Sequence, residues 1–336
     1  MAILLRKVFI PHRCDRTDSI RIAKLGLSPD LKTSMIPTQL NLELRTLTRK
    51  YYEIVDERAK HVTRLKLDFH TVFPQYLDVF SDITGATSTM ILNKYLTPRQ
   101  ILNANPSVLI EQIAETSKRG IKRSEECYQR LVSAAESALS FSCPVESVFF
   151  NISMTLKLIE HLDEALDSIM SRINLLISSH AEELFVEQIR LLETIPGIGF
   201  LTAVTIMCEL GDFSSFQSPK QLLAYFGIDP GVNESGMFKA TEVHMSKRGS
   251  KLARRSIFAV ALACIRRKKD GTAVNPHLYD YYQKKCVSKP KMVAIGAVMH
   301  KVCNIIFAVL RNNCAFEFRS SEEHCRQYKM ANGLSV

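Results

Sequence analysis

Two acidic residues near the start of the chain, Asp15 and Asp18, have a spacing that could support metal chemistry. They open a predicted helix over Cys14–Leu27, and a separation of three puts both carboxylates on one helical face. Carboxylate oxygens in that arrangement suit Mg²⁺, a hard cation that prefers oxygen ligands. The same pair is also typical of a helix start, where Asp15 caps the first turn and Asp18 supports it. The residues alone favour the cap over the metal site.

A glycine-rich turn joins two apolar segments where the chain reads LLETIPGIGFLTA, residues 191–203. It resembles the helix-hairpin-helix motif, in which Gly197 and Gly199 would let the backbone turn tightly and approach a ligand closely. Amides at the start of the following helix could then hold a phosphate of a nucleic-acid backbone. A tight turn between helices without any ligand is the alternative. The Pro-Gly-Ile-Gly spacing and the basic segment downstream favour phosphate binding.

Base-excision glycosylases use the same hairpin and place a catalytic Asp downstream, a role that Asp212 could fill. The iron–sulfur subset also needs a tight cysteine cluster, and Cys303, Cys314 and Cys325 are too far apart for one. No well-placed catalytic Lys is evident. The glycosylase reading is therefore disfavoured.

The positive charge of the chain is concentrated in residues 237–301. The chain has a net charge of +10, and this segment holds fifteen Lys or Arg against three acids. The net positive charge of this segment therefore exceeds that of the whole chain, and the remainder of the chain is slightly acidic. Such concentration favours a polyanionic partner over a merely solvated surface.

Apolar periodicity predicts a mainly α protein. Spacings of three and four predict one long helix over residues 38–68, and a near-heptad pattern predicts a second helical stretch over 145–192. An antiparallel coiled coil, contact with a second subunit and an ordinary helical bundle all remain open. The predicted regions are 1–36, a helical region 37–192, a hairpin-containing domain 193–312 and a polar tail 313–336.

The totals also exclude some classes of protein. No apolar run reaches the ~20 residues that a membrane span needs, so no membrane role is expected. The nine cysteines are dispersed without a CxxC pair. This predicts reduced thiols in the cytoplasm and argues against a cysteine-ligated metal.

The most distinctive order of motifs follows the hairpin: FSSF (213–216), KQLLAYFGIDPG (220–231), ESG (234–236), SKRGS (246–250) and LARR (252–255). This order resembles the C-terminal domain of the DEDD insertion-sequence transposases related to the Piv and MooV DNA invertases. The resemblance covers about residues 191–312.

The resemblance implies a DNA transposase that cuts and rejoins strands. It identifies Ser235 as the nucleophile that attacks phosphorus, with Ser246 and Ser250 in reserve. It also reverses the preference at Asp15 and Asp18, which would be Mg²⁺ ligands in the DxxD helix of a RuvC-like domain. Backbone phosphates would be bound by five cations: Lys247, Arg248, Lys251, Arg254 and Arg255.

The same resemblance implies further partners and one departure from the family. A structured guide RNA could share the basic segment with DNA, and the long helices would supply contacts in a homo-oligomer. Only fourteen residues precede Asp15, too few for the strands that carry the other two family acids. This predicts an N-terminally truncated or decayed remnant of the RuvC-like domain; a late reading frame or a second chain supplying the acids is the alternative.

Two other classes of protein stay open at this point. One is a catalytically dead nucleic-acid-binding remnant that uses the hairpin and the basic segment. The other is a structural coiled-coil adaptor, which would explain the long helices but neither the hairpin nor the charge.

Overall fold

The computed structural model describes residues 15–27, 37–118, 120–141, 145–231, 234–235, 238–239 and 244–319, together with 323, 326 and 330. Within these ranges the chain is helical except for connecting turns and one short strand pair, which confirms the prediction of a mainly α protein. The helices are α1 (Asp15–Gly26), α2 (Gln39–Val72), α3 (Tyr76–Val79), α4 (Ala86–Lys94), α5 (Pro98–Leu102), α6 (Pro106–Ser117), α7 (Ile121–Phe141), α8 (Glu146–Ser179), α9 (Leu184–Glu193), α10 (Phe200–Leu210), α11 (Pro219–Phe226), α12 (Lys251–Ile265), α13 (Pro276–Cys286) and α14 (Lys291–Asn312). The strands are β1 (Glu234–Ser235) and β2 (Phe238–Lys239), paired antiparallel.

The chain divides into two compact units between Thr38 and Gln39. The first contains α1, which begins at Asp15 and includes Asp18 one turn later. The second contains α2 to α14 and carries both hydrophobic cores.

Helices α2 and α8 form the longest element of the second unit. Each has 34 residues, about 51 Å at 1.5 Å per residue. Leu44 of α2 shares one core with Ile173 of α8, and Phe69 of α2 shares the other with Ile152 of α8. The beginning of each helix therefore lies beside the end of the other, so the pair is antiparallel.

The helical stretch predicted over 145–192 is two helices, because α8 ends at Ser179 and α9 begins at Leu184. The hydroxyl of Ser179 donates to the carbonyl oxygen of Leu176 at 3.0 Å, and Nδ1 of His180 lies 2.9 Å from the same oxygen. These side chains thus hydrogen-bond to the carbonyl oxygen that would otherwise accept from the next helical amide. Polar side chains can end a helix by competing for a backbone acceptor in this way.

Each core is assembled around one end of the α2–α8 pair. Helices α3 to α7 pack at the end that contains Leu65 and Phe149, and α9 to α14 pack at the end that contains Leu40 and Ile177. Helix α14 is long and apolar enough to meet the criteria for a membrane span, although Lys301 interrupts its apolar run. Its contacts with α9, α11, α12 and α13 make it a central helix of the second core.

A buried carboxylate joins α2 to this second core. Glu209 of α10 has a fully buried side chain, and both its oxygens accept hydrogen bonds from Arg49, at 2.7 and 3.0 Å. Arg45 lies 3.5 Å from the same carboxylate. Burial alone would raise the pKa of Glu209, but hydrogen bonds from Arg49 and Ser250 and the two arginine charges lower it below its ordinary value.

We expect Arg49→Ala to lower the free energy of unfolding by about 3 kcal/mol near pH 7, because it removes two hydrogen bonds from a buried charge. Since the pKa of Glu209 is depressed on folding, its stabilisation is present above the ordinary pKa of 4.5 and is lost as pH falls through the lower folded value. The difference between variant and wild type should therefore shrink in acid. Urea unfolding followed by circular dichroism at several pH values measures it.

The neighbouring Lys50→Ala is the matched control for this substitution. Lys50 pairs with Glu53 at 3.0 Å, and both side chains are more than half exposed, so its loss should cost at most about 0.5 kcal/mol. Equal effects of the two substitutions would contradict a role for the buried pair.

Candidate functional site

The hairpin between α9 and α10 packs against the last turn of α12. Gly197 has a φ of 99°, a conformation that favours glycine. The thiol of Cys264 donates to the carbonyl oxygen of Pro196 at 3.0 Å, and a Cβ on Gly197 would lie 2.9 Å from that sulfur. Gly199 has an extended backbone, is exposed and has open space where a Cβ would be. The two glycines therefore differ in role: Gly197 is required for packing, and only Gly199 faces solvent.

Asp212, the acid that a glycosylase would need, has a local structural role. Its carboxylate accepts from the amide of Ser214 at 2.9 Å and from the hydroxyl of Ser214 at 2.6 Å. It thereby caps the short 3-10 helix Phe213–Ser215. This geometry accounts for Asp212 without any catalytic function.

Ser235 lies on a loop whose two ends are held together. The amide of Gly231 donates to the carbonyl oxygen of His244 at 2.7 Å, and the amide of Ser246 donates to that of Asp229 at 2.8 Å. The hydroxyl of Ser246 also donates to the carboxylate of Asp229. Beyond this base, Ser235 ends β1 and pairs with Phe238 of β2. Residues 232–233, 236–237 and 240–243 and the side chain of Ser235 lie outside the described part.

The returning end of this loop crosses the C-terminus of α11 at very close range. Gly227 ends α11 with a φ of 66°, and its carbonyl oxygen accepts from the amide of Lys247 at 3.0 Å. A Cβ on Gly249 would lie 1.8 Å from the carbonyl oxygen of Tyr225. Arg254 spans the crossing by donating to the carbonyl oxygens of Phe226 and Gly249, at 3.2 and 2.6 Å. Two backbone segments therefore touch here, and side-chain atoms have no room between them.

The five cations predicted to contact phosphates fall into two groups. Lys247, Arg248 and Lys251 are exposed, and none has an ion-pair partner within the described ranges. Arg254 is half-buried in the crossing just described. Arg255 donates to Asp56 of α2 at 2.7 Å and lies 5.0 Å from the ring centroid of Tyr52. Three of the five are therefore free to meet an anion.

The two reserve serines also have partners within the protein. The hydroxyl of Ser250 accepts from the amide of Ala253 at 3.1 Å and caps α12. Ser246 is bonded to Asp229 at the loop base. Ser246 and Ser250 thus both have structural roles.

The predicted nucleic-acid residues lie at two ends of one helix. The loop base and the free cations Lys247, Arg248 and Lys251 are at the N-terminus of α12, whereas Gly197 packs on Cys264 near its C-terminus. Fifteen residues of α helix separate these ends by about 22 Å. The structure therefore brings the loop and three cations together and places the hairpin apart from them.

The predicted metal ligands Asp15 and Asp18 lie in α1 of the first unit. Their backbone has the helical spacing of three, and two carboxylates are a donor set that suits Mg²⁺. Their side chains lie outside the described part. Among the side chains that are described, no group of three or more His, Cys, Asp or Glu is arranged to hold a metal.

Sequence reasoning missed three residues that organise this region: Glu209, Asp229 and Gly249. Asp229 and Gly249 both lie inside the quoted motifs, in the segments 220–231 and 246–250. Glu209 lies in the last turn of the apolar helix α10, and no local pattern marks it, because its partner Arg49 is 160 positions away.

Comparison with known proteins identifies this region by similarity. Residues 189–283 match the sequence model of the Transposase IS116/IS110/IS902 family. This segment contains the hairpin, the Ser235 loop and α12, and its sequence is similar to that of the family.

Three relatives illustrate the range of similarity. The pilin gene-inverting protein of Moraxella bovis is 34% identical over 137 residues, 39% of each chain. The transposase for insertion sequence element IS1111A of Coxiella burnetii is 34% identical over 86 residues, 26% of this chain and 23% of that protein. An uncharacterized 43.6 kDa protein of insertion element IS110 in Streptomyces coelicolor is 21% identical over 313 residues, 91% of this chain and 73% of that protein. The chain thus aligns with about two fifths of the pilin gene-inverting protein.

Proposed function

We propose that this chain is a DNA transposase-recombinase of an insertion sequence, which cuts and rejoins DNA strands. The observation that carries the proposal is the match of residues 189–283 to the transposase family. That segment coincides with the clamped Ser235 loop and with three exposed cations that have no described ion-pair partner. Relatives named for transposition and for gene inversion point to the same reaction class.

Ser235 is proposed as the nucleophile. Its Oγ attacks phosphorus, forming an Oγ–P bond while the bond from phosphorus to a deoxyribose oxygen breaks. The hydroxyl proton leaves Oγ, and the departing deoxyribose oxygen takes up a proton. Rejoining reverses these steps with the oxygen of another strand, so no further reactant is consumed. The hydrogen bonds that join the two ends of the loop support this role, because they limit the positions that Ser235 can reach.

Asp15 and Asp18 are the residues that would hold Mg²⁺. The bound ion would supply positive charge to the scissile phosphate and to the departing oxygen. What this chain itself contributes is a pair of carboxylates at helical spacing on α1.

The partners proposed are DNA, a structured guide RNA and a second copy of the chain. Lys247, Arg248 and Lys251 would neutralise backbone phosphates of either nucleic acid. The α2–α8 pair is proposed to supply contacts between copies. Phe150, Met154 and Leu158 support this, because they recur every fourth residue of α8 and are 66%, 45% and 46% exposed.

Strand exchange by the full chain tests the proposal. The protein is incubated with Mg²⁺, a plasmid carrying the ends of the element that flanks its gene, and the adjacent transcript. We expect recombinant junctions on sequencing, and a protein–DNA adduct that survives denaturation and maps to the peptide containing Ser235.

The other outcomes separate the alternative classes of protein. Salt-sensitive binding without adduct or junctions would reject strand exchange and favour a nucleic-acid-binding protein without chemistry. Absence of binding to DNA and RNA at low salt would reject the whole proposal and favour a structural adaptor.

A further inference from the structure

A second group of cations lies at the opposite end of α12 from the Ser235 loop. Residues 266–274, here called the basic turn, follow directly on α12 and include Arg266, Arg267, Lys268 and Lys269, all exposed. Within the described residues none of these four forms an ion pair. The nearby carboxylate of Asp270 accepts from the amide and the hydroxyl of Thr272, at 2.9 and 2.6 Å.

The basic turn has a defined shape. The amide of Lys268 donates to the carbonyl oxygen of Thr272 at 2.7 Å, and the amide of Val274 donates to that of Arg266 at 2.9 Å. Arg267 donates to the hydroxyl of Tyr279 at 2.7 and 3.1 Å and lies 5.0 Å from its ring centroid. The backbone that carries these cations is therefore held in a fixed shape, so binding an anion here costs little backbone freedom.

One exposed stripe of α12 connects the basic turn to the cations at the Ser235 loop. The exposed positions are Lys251, Arg255, Ala259, Leu262 and Arg266, which recur every three or four residues and so lie on one face. Cations occupy both ends of the stripe, and a small side chain, Ala259, lies near its middle. The ends are about 22 Å apart, the length of six or seven base pairs of a DNA duplex.

We propose that a DNA duplex lies along this stripe, contacting Lys247, Arg248 and Lys251 at one end and Arg266, Lys268 and Lys269 at the other. This inference rests on the proposed function, because it takes DNA as the substrate. It adds a second backbone-binding element and a minimum duplex length. The contacts are to phosphates, so they set the orientation of the DNA and not its sequence preference.

A triple substitution in the basic turn, Arg266→Gln with Lys268→Gln and Lys269→Gln, tests the proposal in the full chain. Arg267 is kept because it packs on Tyr279. With a DNA hairpin whose stem is about twelve base pairs, ~41 Å, the slope of log Kd against log salt should fall by about 2.7, or 0.9 for each lost phosphate contact. The matched control is Lys50→Gln with Lys60→Gln and Lys66→Gln on α2, which removes the same charge and should leave the slope unchanged.

Stem length tests the spacing. A stem of about five base pairs, ~17 Å, is too short to reach both ends of the stripe, so the basic-turn variant should lose at most about twofold in affinity. An equal loss on both stems would overturn the bridging arrangement. An equal loss for the α2 control would show only an effect of net charge and would also overturn it.

A parallel variant separates this inference from the proposed function. Lys247→Gln with Arg248→Gln and Lys251→Gln should weaken binding to the longer stem to a similar degree. If this variant alone weakens binding, the second element is rejected and the proposed function stands. If neither variant does, or if only duplex RNA binding responds, DNA binding by this domain is itself rejected.

Discussion

Ser235→Ala is expected to abolish covalent attachment and strand exchange while leaving the affinity for DNA within about twofold of wild type. Removing the nucleophile of a covalent mechanism typically lowers the rate by several orders of magnitude, about a thousandfold or more. Binding should persist because the proposed phosphate contacts come from Lys247, Arg248 and Lys251 and not from this hydroxyl. Junction formation and denaturation-resistant adducts measure the first effect, and a binding titration measures the second.

The control for this substitution is Ser288→Ala, an exposed serine in the turn between α13 and α14. This substitution also removes one serine hydroxyl, but at a position distant in sequence from Ser235, and it should leave strand exchange unchanged. Retention of the adduct in Ser235→Ala would reject Ser235 as nucleophile. Loss of binding together with activity would show that the substitution disturbs the domain instead.

Gly249→Ala is expected to destabilise the second compact unit by about 3 kcal/mol or more, because an added methyl group has no space at the crossing. Its Cβ would lie 1.8 Å from the carbonyl oxygen of Tyr225 and 2.7 Å from the carbonyl carbon of Phe226. Both contacts are with backbone, which cannot move aside as a flexible side chain could. Relief would require separating the loop base from α11, and Arg254 would then no longer bridge the carbonyl oxygens of Phe226 and Gly249.

Thermal and urea unfolding measure this effect, and Gly296→Ala is the control with the opposite sign. Gly296 lies within α14, and a Cβ there would meet nothing within 4 Å. Alanine is favoured over glycine inside a helix, so this variant should gain up to about 1 kcal/mol. If Gly249→Ala were as stable as wild type, the close crossing at Tyr225 would be wrong.

Local patterns were sufficient to predict the two longest helices of the described part of the chain. The helix predicted over 38–68 corresponds to α2, and the apolar periodicity of 145–177 corresponds to α8. Both were predictable because the buried residues of one helix recur at a regular spacing in the sequence. The prediction failed at residues 180–183. There the competing hydrogen bonds of Ser179 and His180 ended the helix, and such competition has no periodic signature.

The motifs around Ser235 were also identifiable from sequence, since their order resembles one transposase family. The matched residues 189–283 overlap the resemblance from residue 191 to residue 283. The roles of Ser235, Asp15 and Asp18 remain predictions. The sequence resemblance implies these roles, and the proposed experiments test the chemistry.

What the sequence by itself determined was the class of fold, the segment that resembles a transposase family and the segment that holds the positive charge. Only the tertiary structure decided which of those charges are free: Arg254 bridges two carbonyls, Arg255 pairs with Asp56, and Lys247 faces solvent. It also decided that the hairpin and the Ser235 loop lie at opposite ends of α12. The physical reason is that these outcomes depend on contacts between distant parts of the chain. Residue type and local spacing do not specify which distant partner a charged side chain will meet.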